Sequence, residues 1–154
     1  MYPKPYLNYL FHFFCTRDYF ECHEIMEEYW KSVGKKRDVW LALIQLAVSL
    51  YHHRRGNFSG SVKMLDSCYT LCRNISFSET GIDQQGFLVL LREKLEEMKR
   101  GEAYRPFHIP FSDPSLLKEI YLHCARLSID PDQMEREEMI INKHRFQKKK
   151  KGGG

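Results

Sequence analysis

The chain has 154 residues with 43% apolar and 14% aromatic content, which is one domain's worth of material and enough for a sizeable core. Its net charge of +4 sits in the tail: Lys143, Arg145 and Lys148 to Lys151 supply six of the 24 basic residues, leaving 18 against 20 acids, about −2, elsewhere. A body of that sign excludes broad electrostatic adhesion to nucleic acid and leaves the basic tail as the place where such binding would occur.

At the N-terminus, Pro3 and Pro5 come early and no basic segment leads into an apolar stretch, so no secretory signal is expected. Asp18, with Glu21 three residues on, forms a capping box for a helix over residues 18–31, and Gly34 ends it. Asp38 opens a long apolar helix to residue 55, with Gly56 where a left-handed residue would follow. The apolar run 39–51 inside it holds Gln45 and Ser49 and falls short of the ~20 residues that cross a bilayer. Asn57 can cap the next helix, 58–74, so Gly56-Asn57 reads as a sharp corner between antiparallel helices. Leu88, Leu91, Leu95 and Met98 stripe a helix over 83–100, which Gly101 stops.

Residues 104–111, with Pro106 and Pro110, read as an extended connector. Asp113-Pro114 and Asp130-Pro131 each place a cap before a proline at the first helical position, which predicts two more helices. The lysine run and three terminal glycines form a tail expected to be disordered. With no defensible strand pattern, the expected fold is an all-α helical bundle around the central apolar helix 38–55. Its core spans 1–101, a connector and two additional C-terminal helices packed on that core span 102–147, and the tail spans 148–154.

Cys15, Cys22, Cys68, Cys72 and Cys124 are an odd set lying inside apolar helical patterns, and reduced thiols in a cytoplasmic protein are the expectation. Cys68 and Cys72 share a helix face, but no second C-x-x-C or C-x-H pair completes a metal site. P-loop, dinucleotide-binding and serine-hydrolase elbow motifs do not occur.

Chemistry concentrates in two helices. Residues three, four or seven apart lie on one helix face, so His23, Glu27 and Trp30 align, with Glu24 and Phe20 beside them. Leu41, Gln45, Val48 and His52 form a second row. The short connection 33–37 favours antiparallel neighbours, which brings His23 toward His52. One reading is a divalent metal held by His23, Glu27 and His52, with Glu24 as catalytic base for a metal-bound water. His23-Glu24-Ile25-Met26-Glu27 is not the H-E-x-x-H metalloprotease signature, because a glutamate replaces the second histidine. The competing reading is structural: His23, Glu27, Gln45 and His52 hydrogen-bond to one another and fix the helix register. Trp30, Trp40 and Tyr51 suit either a pocket wall or ordinary core. Arg54, Arg55 and Asn57 suit either an anion at the next helix's N-terminus or capping.

The stretch 18–30, DYFECHEIMEEYW, followed by LIQLA at 43–47 and YHHRRGN at 51–57, resembles a bacterial and archaeal domain of unknown function, family 309. That small all-helical family carries H-E-x-x-E-x-x-W, L-I-Q-x-A and H-x-x-R-G-N motifs, and the similarity covers about residues 14–65. The resemblance marks His23, Glu24, Glu27, Trp30, Gln45, His52, Arg55, Gly56 and Asn57 as characteristic positions. It implies a fold and not an activity. This chain has Gly60-Ser61 where the family often has Gly-Ala, and beyond residue 100 the similarity gives little.

The functional expectation is an inter-helix pocket, lined by His23, Glu24, Glu27, Trp30, Gln45, His52, Arg55 and Asn57, that binds a divalent metal or small ligand. The alternative is a non-catalytic interaction module whose C-terminal helices recruit a protein partner. Whether the chain is an enzyme is left open by its residues.

Overall fold

A computed structural model of the chain describes residues 1–127. Six α-helices follow in order among them: α1 Lys4–Phe11, α2 Tyr19–Ser32, α3 Asp38–Arg54, α4 Phe58–Cys72, α5 Gln84–Lys99 and α6 Pro114–Arg126, with a π-helical turn His12–Thr16 after α1. The fold is all-α, with one isolated antiparallel bridge between Ile82 and Phe111. The expected helix after Asp130-Pro131 and the basic tail lie outside the described residues.

Local chemistry accounts for most boundaries. Asp18 accepts a hydrogen bond from the Glu21 amide at 3.0 Å, Asp83 from the Gly86 amide at 3.2 Å and Asp113 from the Ser115 amide at 3.0 Å. Each carboxylate satisfies a donor that the first helical turn leaves unpaired. Pro114 starts α6, where its missing N–H costs nothing. Gly34, Gly56 and Gly101 follow α2, α3 and α5 with φ between 72° and 79°, a left-handed geometry that a Cβ would oppose.

α3 is the axis of the bundle. Eleven of its 17 residues are buried, with α2 and α4 as its main neighbours. α1 reaches it through the Tyr9 hydroxyl, which donates to the Leu43 carbonyl at 2.7 Å, and α5 through Met98, whose sulfur lies 3.7 Å from Ser49 Oγ. Ser49 itself donates to the Ser61 carbonyl of α4 at 2.7 Å, so a polar residue in the apolar run is fully satisfied.

Two features depart from the sequence expectation. The first is the corner before α2. The π turn ends at Arg17, a non-glycine residue at φ 56° whose side chain is fully buried. Its guanidinium donates to the Phe107 carbonyl at 2.8 Å, and its own carbonyl accepts from Arg54 at 2.6 Å, so the corner is tied to the connector and to the end of α3.

The second concerns the cysteines. Reduced thiols were expected throughout, but Cys15 and Cys124 form a disulfide between the π turn and α6. Their separation of 109 residues explains why spacing could not reveal the pair; only the docking of α6 brings them together. Cys22, Cys68 and Cys72 are buried free thiols. Burial pushes the Cys22 thiol up, and the Cys68 thiol rises through its contact with Cys72 and through burial. The Cys68 and Cys72 sulfurs lie 4.0 Å apart, and Cys68 also donates to the Ala42 carbonyl. Both therefore behave as core residues.

Candidate functional site

α2 and α3 run antiparallel, and their aromatic residues record the register. Phe20 meets Tyr51 with ring centroids 5.9 Å apart at one end, and Tyr29 meets Trp40 at 5.5 Å at the other. Between the first pair lies a cleft of about 190 Å³ lined by Tyr19, Phe20, His23, Val48, Tyr51 and His52. The two histidines from successive helices thus share one concavity, as the facing rows predict. Its other walls are aromatic or aliphatic.

Each imidazole is held by a neighbour. His23 Nε2 lies 2.7 Å from Glu27 Oε2, and the other Glu27 oxygen is 3.0 Å from Lys31 Nζ. The Lys31 ammonium, assisted by His23, holds the Glu27 carboxyl below its usual range. His52 Nδ1 lies 3.3 Å from the Asn57 side-chain nitrogen. An amide nitrogen donates, so the neutral His52 ring accepts at Nδ1 and carries its proton on Nε2.

The H-x-x-R-G-N segment gains a physical account from this contact. The Asn57 backbone amide donates to the His52 carbonyl at 2.9 Å, closing α3. Asn57 Oδ1 accepts from the Gly60 amide at 3.0 Å and caps α4. Gly56 supplies the left-handed turn at φ 79°. Arg55 donates to the Tyr51 hydroxyl at 2.5 Å, with its guanidinium carbon 4.9 Å from the ring centre, and so braces a cleft wall from behind. A Cβ on Gly60 would meet the Asn57 side-chain nitrogen at 2.7 Å, so a larger residue there would make the Asn57 amide shift against its contact with His52.

The remaining candidate residues do not line the cleft. Glu24 is half-buried and is not among its walls. Trp30 Nε1 and Gln45 Oε1 are buried without a hydrogen-bond partner, an unsatisfied donor and acceptor on the same two helical rows.

The metal reading meets a geometric obstacle. Glu27 already engages His23 and Lys31, and among the described residues no group of three or more His, Cys, Asp and Glu side chains is placed to hold a metal ion. His23, Glu27 and His52 therefore do not assemble a three-ligand centre.

Sequence reasoning missed the polar and aromatic cluster around Tyr19 and Tyr104. Arg54 lies 4.7 Å from the centre of the Tyr19 ring, Tyr19 and Tyr104 share a hydroxyl contact at 2.5 Å, and His53 Nε2 donates to the Glu102 carbonyl at 2.8 Å. Burial holds the His53 imidazole below its ordinary range, so it is a neutral core histidine. Tyr19, at the first helical position after Asp18, carried no periodic signal that marked it as a wall.

Comparison with known proteins supports the family resemblance. The profile of the family described as "Domain of unknown function (DUF309)" matches residues 7–64, the segment that holds α2, α3 and the corner. The chain is 36% identical over 152 residues to the uncharacterised protein YpuF of Bacillus subtilis (strain 168), covering 95% of this chain and 87% of that protein. No solved structure matches at a significant level. The chain belongs to the DUF309 family.

Proposed function

We propose that the cleft between α2 and α3 binds a small organic molecule with an apolar body and one polar group that meets the two imidazoles. The observation that carries this reading is the lining itself: His23 and His52, supplied by different helices, face one concavity whose remaining walls are Tyr19, Phe20, Val48 and Tyr51. Apolar walls with a few convergent polar groups are the usual make-up of a ligand site. At about 190 Å³ the cleft is smaller than a typical drug-sized pocket, which restricts the ligand to a single ring or a short chain. An organic ligand fits better than a metal ion because Glu27 is already engaged by His23 and Lys31. Glu24 stands outside the lining, so the reading is of binding rather than hydrolysis.

The test is to follow the histidine Cε1–H resonances of the full chain by NMR. The probes are a panel of small aromatic and aliphatic carboxylic acids, alcohols and amines. Saturable shifts of both the His23 and His52 signals are expected from at least one class, with loss of binding in Val48→Trp, which fills the cleft. The reading fails if no probe moves either signal, or if Val48→Trp binds as wild type does.

A second reading, recruitment of a protein partner, draws on Tyr121, Leu122 and Leu127, large apolar residues about half exposed on and just after α6. Leu122→Glu together with Tyr121→Ser would abolish such binding without touching the cleft.

A further inference from the structure

α6 turns one narrow stripe, Leu116, Ile120 and Cys124, into the body and packs chiefly on the π turn and α1. That thin apolar stripe, the Tyr2 hydroxyl on the Asp113 cap, the Phe11–His123 stack and one covalent bond hold the helix. Beside that bond α6 walls a second cleft, of about 500 Å³, in which Phe11, His12, Glu21 and Ile25 face His123 and Leu127. The Phe11 and His123 rings, both part of its lining, stack with centroids 4.0 Å apart and planes 7° from parallel. Releasing α6 would remove that wall.

Cys15 is accommodated in either redox form. Its sulfur lies 3.7 Å from the Ile120 carbonyl oxygen, an acceptor for the S–H that appears on reduction, so the thiol would not be a stranded donor in the core. The residue also sits in a π-helical turn, a distortion of helical register that recurs at functional positions.

We propose that the Cys15–Cys124 disulfide is a reversible redox clasp that sets whether α6 closes this second cleft. The reductant is a dithiol. One of its thiolates attacks a sulfur of the pair, the S–S bond breaks, and the other cysteine leaves as a thiolate. The reductant's second thiolate then displaces the mixed disulfide. Two electrons pass to the protein, both cysteines end as thiols after protonation, and the reductant leaves as its own disulfide. The two sulfurs belong to residues only 2% and 1% exposed, so attack waits on transient opening of α6.

The experiment uses the full chain purified without reductant and divided into samples with and without dithiothreitol. Thiol titration in denaturant is expected to find the three free cysteines before reduction and all five after it. Limited proteolysis is expected to cut the connector and α6 at least about tenfold faster in the reduced sample, because cleavage follows the population of the open form. Oxidised glutathione should restore protection. Cys124→Ser and Cys15→Ser should each show the reduced pattern with or without dithiothreitol. Five thiols in the air-oxidised chain, or equal protease resistance of the wild type in both redox states, would overturn the clasp.

Discussion

Asn57 holds His52 from outside the helix that carries it: its side-chain nitrogen lies 3.3 Å from His52 Nδ1 while its Oδ1 caps α4 through Gly60. One amide therefore orients a cleft histidine and starts the next helix. Asn57→Ala should cost about 1 kcal/mol through the lost cap, measured by denaturant unfolding. Asn57→Asp keeps a capping oxygen but loses the amide donor, so it should retain most stability while moving the His52 NMR signal. Equal stability loss in both variants would contradict this division of roles.

Gly60→Ala offers a sharper check. Alanine is intrinsically the better helix former by about 1 kcal/mol, yet its Cβ would press on the Asn57 amide. A net fall in melting temperature is expected, together with a shift of the His52 resonance.

Gln45 and Trp30 keep unsatisfied polar atoms in the interior. Replacing an orphaned acceptor by an apolar group of similar shape removes a desolvation cost, so Gln45→Met should stabilise the fold by roughly 1 kcal/mol. A destabilised Gln45→Met would mean that the amide has a partner in solution.

The caps were legible because they are local. Asp18, Asn57, Asp83 and Asp113 each bond an amide two or three residues away, so residue type and spacing suffice. The shared cleft of His23 and His52 was legible because helical period and a short connection fix which faces meet. Arg17, His53 and the disulfide were not, since their partners, Phe107, Glu102 and Cys124, lie 90, 49 and 109 residues away. The engagement of Glu27 by Lys31 was within reach of the same four-residue spacing.

Acid should weaken the fold in two windows. Burial favours neutral His53, so its folded pKa lies below the ordinary 6.5 and the unfolded chain binds the extra proton. That contribution is fully present above pH 6.5 and is lost as pH falls toward the folded value. In His53→Gln the slope of unfolding free energy against pH in this window should flatten, although stability at pH 8 is lower through the altered bond to Glu102. Glu97 follows at lower pH. Burial pushes its carboxyl up, but Lys94 at 2.8 Å and Arg105 at 3.1 Å outweigh that and hold it below 4.5. Its stabilisation is fully present above pH 4.5 and is lost as pH falls through the lowered folded value. Glu97→Gln should cost roughly 2 kcal/mol at pH 7 and progressively less as pH falls through that value.

Zinc, manganese or ferrous ion should leave the melting temperature of wild type and of His52→Ala unchanged, because the donor set at the first cleft is incomplete. A metal-dependent rise in wild type alone would restore the coordination reading.

The bend at Arg17 bears on the shape of the first cleft. Its guanidinium grips the connector and its carbonyl is gripped by Arg54, so the start of α2 and the end of α3 are clamped together beside Tyr19 and Tyr51. On the ligand-binding reading proposed above, that clamp leaves selection to the shape of the walls, which favours molecules that already have the right girth over those that must pry the helices apart.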